Sequence, residues 1–146
     1  MKTFITSVVA AFIILSSSAF TAREGKAARS NVVAINNVLD QYIAAVSKGQ
    51  VSKVEQLFSE QFHQRYTNSK QNNTFSKSQV VSFLKANKNI EQQHCKTDYS
   101  IVDEGKGFAI AKVAMNYPSG YTRTDYVTVT QNNGIYQINQ VITTFS

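Results

Sequence analysis

Asp125 is the residue of this sequence whose position most strongly suggests chemistry. It stands in the alternating run TRTDYVTVTQ, two residues after Arg123, although β-strands disfavour aspartate. Side chains two residues apart in a strand point to the same face, so Asp125 and Arg123 share a face with Val127. A carboxylate in apolar surroundings is costly unless it is paired, hydrogen-bonded or protonated. The pattern therefore predicts an inward-facing carboxylate with a specific partner.

Two interpretations of this carboxylate are open. In the first, Arg123 and either Tyr42 or Gln140 satisfy Asp125 as part of the framework. In the second, Asp125 and Arg123 line a cavity between the sheet and the first helix, where they orient a polar small molecule. Tyr42, Tyr99 and Gln140 are then further candidate ligand contacts. For the two tyrosines, the alternative role is that of a core aromatic whose hydroxyl is satisfied.

The turns predict which residues face Asp125 across the sheet. A two-residue type I′ turn at Asn133-Gly134 sets the register of the last two strands. It places Val129 opposite Ile138, Val127 opposite Gln140, and Asp125 opposite Ile142. On the other side, a three-residue turn at 118–120 sets Val113 opposite Asp125. A bulged loop at 132–134 would instead move the partners in the last strand to the other face.

Two helices are predicted at the start of the domain. Ser30 caps the first, an amphipathic helix whose apolar residues recur at three- and four-residue intervals up to the stop at Gly49. The second is short and begins at a capping box, Ser52–Glu55. It is expected to bury Phe58 and to extend toward Phe62.

A third helix begins at the capping box Ser76–Gln79, after a polar stretch at 63–74 that suggests a short edge strand and a loop. From residue 92 onward the period of the pattern changes to two, and turns divide the chain into four runs. These runs are Gln92–Val102, Phe108–Tyr117, Tyr121–Gln131 and Ile135–Phe145. Helices followed by an antiparallel meander predict the α+β class, with three N-terminal helices packed on an antiparallel β-sheet.

The first 22 residues have the pattern of a secretory signal peptide. An early cation, Lys2, precedes a mostly apolar run at 4–15, and small residues follow. Cleavage is expected after Ala19 or, alternatively, after Ala22. The protein is therefore expected to be secreted or periplasmic, without a stable membrane anchor. An uncleaved anchor is the alternative, but the apolar run is about half the roughly 20 residues that span a bilayer as a helix.

The remaining chain is expected to form one domain. Its 146 residues, precursor included, are too few for two domains of ordinary size. Residues 23–29 are polar and predict a flexible lead-in, and residues 30–146 are expected to carry the fold.

Composition and motifs exclude several classes of function. The net charge is +6, from 15 basic and 9 acidic residues, but the basic residues are scattered and do not interleave with stacking aromatics, so nucleic acid is not expected as a partner. Two histidines and a single cysteine, Cys95, form no metal-ligand spacing. The sequence contains no hydrolase, nucleotide or dinucleotide motif. We therefore expect no metal and no cofactor.

Three stretches of the chain resemble the nuclear transport factor 2-like superfamily. They are AINNVLDQYIAAVSKGQVSKVEQLFSEQF, FAIAKVAM and TDYVTVTQNNGIYQINQV. More narrowly, the chain resembles secreted bacterial proteins described as putative lumazine-binding, over nearly all of its mature length. The resemblance implies a cone-shaped, cystatin-like architecture with a curved sheet. The last strand departs from some relatives, which often carry tryptophan and lysine where this chain reads YQINQV.

The resemblance does not decide the function, because the superfamily includes isomerases, dehydratases and cyclases as well as noncatalytic binding proteins. We expect a noncatalytic module that binds a small organic ligand or is structural. The first alternative is an isomerase- or dehydratase-type enzyme with Asp125 as general base and Tyr42 as proton donor. The second is a homodimer that pairs through the threonine-rich face of the sheet, where Tyr126 and Val141 would form an apolar patch.

Overall fold

The computed structural model describes residues 18–67, 72–91 and 95–146. The apolar run at 4–15, on which the signal-peptide prediction depends, lies outside these residues. The helices are α1 (Ser18–Lys48), α2 (Val54–Leu57) and α3 (Lys77–Ala86). The strands are β1 (Phe58–Thr67), β2 (Asn72–Ser76), β3 (Lys96–Gly105), β4 (Phe108–Asn116), β5 (Thr122–Asn132) and β6 (Ile135–Phe145). Within the described residues, no helix is both long enough and apolar enough to cross a membrane.

The strands form one curved, unclosed sheet in the order β2-β1-β6-β5-β4-β3. The four predicted runs correspond to β3, β4, β5 and β6, which pair antiparallel in sequence order. This confirms the α+β class and the meander. The sheet is larger than predicted, because β1 pairs in parallel with β6 and β2 adds an antiparallel edge next to β1.

The N-terminal part of the chain differs from the prediction in three places. Helix α1 begins at Ser18 rather than Ser30, so residues 23–29 are helical instead of forming a separate lead-in. Helix α2 is a single turn, and its N-cap is Lys53, with φ 58° and no side-chain hydrogen bond. The capping box at Ser52–Glu55 is therefore not formed. Phe58 and Phe62 lie in β1, where both are buried.

The start of β1 is strand rather than helix because of its pairing partner. Phe58 is aligned with Ile138 of β6, and both side chains are fully buried. Burial of two large apolar side chains against each other contributes more than the weak helix preference of a four-residue segment. The polar stretch at 63–74 that suggested an edge strand thus includes the end of the interior strand β1 and the start of β2, which is the edge strand.

The prediction for α3 is confirmed in detail. The Ser76 hydroxyl accepts a hydrogen bond from the backbone N–H of Gln79, and the Gln79 side chain accepts one from the backbone N–H of Ser76. Two N-terminal N–H groups that have no partner inside a helix are thereby satisfied. Val80, Val81 and Leu84 are buried, whereas Phe83 is exposed.

The hairpin between β5 and β6 begins as predicted and then changes register. Asn133 and Gly134 have φ of 50° and 81°, as a type I′ turn requires, and Val129 lies opposite Ile138. An extra residue in β6, Asn139, then forms a bulge, because the next pair is Thr128 with Gln140. Because side chains alternate along a strand, a shift of one residue moves every later side chain of β6 to the opposite face of the sheet.

Beyond this bulge, the predicted partners in β6 are wrong by one residue. Val127 lies opposite Val141 rather than Gln140, and Asp125 lies opposite Thr143 rather than Ile142. Val141 and Thr143 are fully buried. Val141 consequently does not belong to an outward patch with Tyr126.

The core lies between the inner face of the sheet and the buried side of α1. It contains Leu39 and Tyr42 of α1, both almost fully buried, and a continuous apolar layer from the three strands β4, β5 and β6. The layer comprises Ala109, Ala111, Val113, Met115, Val127, Val129, Ile138 and Val141. Asp125 belongs to this face, since it is aligned with Val113 of β4 as predicted.

Candidate functional site

The carboxylate of Asp125 has 0% exposure and accepts four hydrogen bonds. Arg123 binds it in a bidentate manner, with Nε 3.0 Å from Oδ1 and Nη2 3.0 Å from Oδ2. The Tyr42 hydroxyl donates to Oδ2 at 2.7 Å and the Thr143 hydroxyl donates to Oδ1 at 2.6 Å. Two carboxylate oxygens offer about four lone-pair positions. All of them are occupied by side chains of the protein.

Strand geometry explains the ion pair. Arg123 and Asp125 are two residues apart in β5, so both side chains leave the same face and lie side by side. The Arg123 side chain is 12% exposed. Burial by itself lowers the pKa of Arg123, but Tyr42 and Asp125 outweigh this effect and the pKa lies above its ordinary value. Arg123 is thus a permanent cation held in one orientation.

Tyr42 is a neutral phenol at physiological pH. Burial raises its pKa well above the ordinary value, and the neighbouring Asp125 raises it further, whereas Arg123 opposes the shift. The hydroxyl donates its only proton to Asp125 and accepts from Arg123 Nη2 at 3.5 Å. Tyr42 therefore has no proton left to give to another group.

A second chain of hydrogen bonds connects Asp125 to β1. Gln64 Nε2 donates to Thr143 Oγ1 at 3.0 Å, and Thr143 in turn donates to Asp125. Gln64 is buried and aligned with Val141 of β6. The direction of donation follows from Asp125, because a carboxylate paired with a guanidinium only accepts. It fixes the amide of Gln64 with its nitrogen toward Thr143.

A cavity of about 780 Å³ lies next to this network. Its walls are formed by the last two turns of α1, by residues of β1 and β2, and by helix α3. Its polar inner end is formed by Tyr42, Gln64 and Arg123, while Tyr66, Phe75 and Phe83 are the aromatic residues of its wall. Asp125 does not reach the cavity, since it is buried behind Arg123 and Tyr42. Among the described lining residues, Arg123 is the only one with a formal charge at neutral pH.

The end of the cavity that faces solvent lies where the ends of α1 and α3 are in contact. Gly49, after α1, has φ 63°, and its carbonyl accepts a hydrogen bond from the backbone N–H of Asn89, after α3. Phe83 and Ile90 line the same end and are 64% and 57% exposed. The cavity is therefore polar inside and apolar toward the solvent.

The structure brings three of the five candidate residues together and places two elsewhere. Asp125, Arg123 and Tyr42 are in direct contact. Gln140 pairs with Thr128 on the opposite face, because the bulge at Asn139 reverses the direction of the residues that follow it. Tyr99 lies on the other side of α1, in a smaller depression with Asp40, and burial and Asp40 both raise its pKa.

Sequence reasoning missed Gln64, Tyr66 and Thr143. Gln64 and Tyr66 alternate with the buried Phe62, so the signal was the strand alternation in FHQRY, but the stretch was predicted to lie at the sheet edge rather than beside the core. Thr143 is found only when the bulge is known. In the part of the chain that the structure describes, histidine, cysteine and acidic residues form no group that could hold a metal ion.

These helices and this sheet define a nuclear transport factor 2-like fold. A nuclear transport factor 2-like protein of unknown function from Silicibacter pomeroyi superposes with a TM-score of 0.68 at 15% identity, covering 82% of this chain and 98% of that one. A similar protein of unknown function from Shewanella baltica has a TM-score of 0.67 at 17% identity, with coverage of 80% and 94%. An uncharacterised cystatin-like protein from Caulobacter vibrioides has a TM-score of 0.57 at 16% identity, with coverage of 79% and 89%.

At these identities, the structural likeness shows the fold alone. The chain belongs to the family described as putative lumazine-binding, whose profile matches residues 30–143. A comparison with curated proteins found no match. The description of the family suggests ligand binding, which is also the general role that a preformed apolar cavity suggests.

Proposed function

We propose that this protein binds a small organic molecule in the cavity between α1, α3 and the sheet, and that it does not transform the molecule. One observation carries the proposal. Among its described lining residues, an apolar cavity of about 780 Å³ has a single cation, Arg123, whose orientation is held by a carboxylate that the cavity does not reach. Ligand sites are commonly apolar pockets with a few polar groups that are fixed in advance.

The state of the polar groups supports a noncatalytic role. A general base needs a free lone pair within reach of the substrate, but the four acceptor positions of Asp125 are filled. Tyr42 has donated its only proton, and its raised pKa makes it a poor acid at neutral pH. The isomerase-type alternative depends on these two residues and receives no support from their geometry.

The binding proposal can be tested with a neutral fluorescent probe, N-phenyl-1-naphthylamine, whose emission rises in apolar sites. We expect the native chain to bind it, and Ser82→Trp, a bulky substitution in the α3 wall of the cavity, to weaken binding by at least about tenfold, since overpacking a site costs 1–3 kcal/mol. Ala86→Trp is the matched control, because Ala86 is an exposed residue of α3 outside the cavity.

Two outcomes would contradict the proposal. The native chain could leave the emission of the probe unchanged, or both tryptophan variants could bind the probe as the native chain does. The chain has no native tryptophan, so energy transfer from the introduced indole reports whether a bound probe lies close to α3.

The place of action is proposed to be outside the cytoplasm, on the basis of the signal-like segment at 1–22. Expressed in a bacterial host, the full chain should appear in the periplasm with a mass that corresponds to a start at Phe20 or Arg23. A chain without residues 1–19 is the control and should stay in the cytoplasm. Recovery of the intact precursor from the cytoplasm alone would refute export.

A second candidate role is a homodimer through the outer face of the sheet. The observation that favours it is a set of apolar side chains on that face, among which Phe108, Tyr126 and Ile135 are exposed. Ile142 lies opposite Tyr126 and takes the place that the sequence had suggested for Val141. This role is compatible with ligand binding, because the cavity lies on the inner face.

A further inference from the structure

The guanidinium of Arg123 has donors that Asp125 does not use. Nε and Nη2 donate to the carboxylate, and Nη2 also donates to the Tyr42 hydroxyl. Within the described residues, neither N–H group of Nη1 has a hydrogen-bond acceptor. The three nitrogens of a guanidinium spread from one carbon in a plane. Nη1 therefore lies on the side opposite the edge that binds Asp125.

The position of Asp125 leaves the positive charge of Arg123 accessible from the cavity. Asp125 is fully buried and does not line the cavity, whereas Arg123 does. The hydroxyls of Tyr42 and Thr143 also donate to the carboxylate, so Arg123 is not the only group that offsets its charge. An anion bound at Nη1 would be separated from Asp125 by the guanidinium. In the described part of the chain, no acidic residue lines the cavity.

The solvent end of the cavity has apolar side chains that a long ligand would cover. Phe83 and Ile90 line this end and are exposed, although large apolar side chains are usually buried. Much of the remaining wall is also apolar and includes Ala45, Val80 and Leu84. A ring held at the polar end would leave Phe83 and Ile90 in water, whereas a chain that follows the wall outward would bury apolar surface of both.

We infer that the ligand is an aliphatic monocarboxylate of the fatty-acid type, bound with its carboxylate at Arg123 and its chain toward Phe83 and Ile90. Nη1 donates a charge-assisted hydrogen bond to a carboxylate oxygen. The chain contributes by the burial of its CH₂ groups against the apolar wall. The inference deepens the proposed function and depends on it.

The test is the displacement of N-phenyl-1-naphthylamine from the native chain by four compounds at neutral pH. Decanoate has both the chain and the carboxylate. Decan-1-ol and decylammonium have the same chain with a neutral and a cationic group, and 2-naphthoate has the carboxylate on a flat ring. We expect decanoate to displace the probe at a concentration at least about tenfold below that of each of the others, because a charge-assisted hydrogen bond is about twice as strong as a neutral one and the chain buries more CH₂ groups.

Chain length gives a second measurement on the native chain. From octanoate to decanoate to dodecanoate, the displacing concentration should fall at least about threefold at each step, since each step adds two CH₂ groups to the buried chain. A displacing concentration that is the same for all three acids would contradict a chain that lies along the apolar wall.

Arg123→Met combined with Asp125→Asn removes both charges and leaves an amide that can still bond to Tyr42 and Thr143. It should reduce the preference for decanoate over decan-1-ol to about one, because the charge-assisted bond is lost. Arg65→Met is the control and should keep the native preference, since Arg65 is an exposed cation of β1 outside the cavity. The series on the native chain is decisive even if the double variant does not fold.

The outcomes separate the inference from the proposed function. Failure of the fluorescent probe to bind the native chain overturns the proposed function. Binding of the probe with equal displacement by decanoate and decan-1-ol, with tightest binding of decylammonium or 2-naphthoate, or with no displacement by decanoate, overturns the fatty-acid inference and leaves the cavity as an apolar binding site.

Discussion

At the scale of the residue, Asp125 agrees with the first of the two interpretations that its position suggested, and its predicted place in the wall of the cavity is wrong. It is a framework group, because it is buried and fully hydrogen-bonded, and its partners Arg123 and Tyr42 face the cavity. A buried ion pair contributes little net stability once the cost of desolvation is counted. Its effect here is to hold Arg123 and Tyr42, which both line the cavity, in fixed orientations.

Tyr42 gives this arrangement a characteristic response to alkali. Its pKa is raised above the ordinary value of 10.0 in the folded state, so the folded state holds the phenol proton more tightly than the unfolded state does. The resulting stabilisation is complete below pH 10 and is lost as pH rises above it. Burial also raises the pKa of Tyr117, to about 12, with the same sign.

Between pH 9 and pH 11, the native chain should lose stability above pH 10 by about 1.4 kcal/mol per pH unit, which corresponds to the one proton that Tyr42 holds. We expect Tyr42→Phe to remove this part of the loss. At neutral pH the variant should be less stable by about 1–3 kcal/mol, because Asp125 loses a buried donor. Urea unfolding at each pH measures both effects. The exposed Tyr126→Phe is the control, and equal slopes in the native chain and Tyr42→Phe would contradict the assignment.

At the scale of the element, two irregular features build the site. The bulge at Asn139 turns Val141 and Thr143 toward the core, and the contact between the ends of α1 and α3 forms part of the wall of the cavity. The contact between the ends of α1 and α3 leaves no room for a side chain at Gly49. A Cβ atom at Gly49 would lie 2.6 Å from the carbonyl oxygen of Asn87 and 2.7 Å from the nitrogen of Asn89.

Gly49→Ala should therefore destabilise the fold by about 3 kcal/mol, the sum of the left-handed backbone penalty and of overpacking. Gly134→Ala is the matched control, with φ 81° and no atom within 4 Å of the added carbon. It should cost only the backbone penalty of about 1–2 kcal/mol. Equal losses for the two variants in urea unfolding would show that α3 adjusts without cost at this contact.

At the scale of the whole molecule, the two faces of the sheet differ in the side chains that they carry. The inner face holds the core and the polar end of the cavity, whereas the outer face carries threonines and exposed apolar side chains. Tyr126 is 39% exposed and lies near the middle of that face. Exposed apolar side chains on one face are the feature on which the proposed twofold dimer depends.

Sedimentation velocity at increasing protein concentration should show a dimer that Tyr126→Lys dissociates, because a charge buried at the centre of an interface has no partner. Val102→Lys, on the exposed edge strand β3, is the control and should leave the dimer intact. A native chain that sediments as a monomer throughout the concentration range would contradict the proposed dimer.

The sequence by itself determined what depends on near neighbours. The capping box of α3, the type I′ turn and the shared face of Arg123 and Asp125 all involve residues within a few positions of one another. Their geometry follows from backbone sterics and strand alternation, which act locally. Asp125 was therefore predicted to face inward, and it does.

Only the tertiary structure decided which other groups meet that carboxylate. Gln64 and Thr143 are 79 residues apart and Tyr42 and Asp125 are 83 apart. Their contacts depend on the parallel pairing of β1 with β6 and on a one-residue bulge, and no local pattern specifies either. Such features are selected by the burial of distant side chains against each other, so the cavity and its pattern of donors and acceptors become visible only in the folded chain.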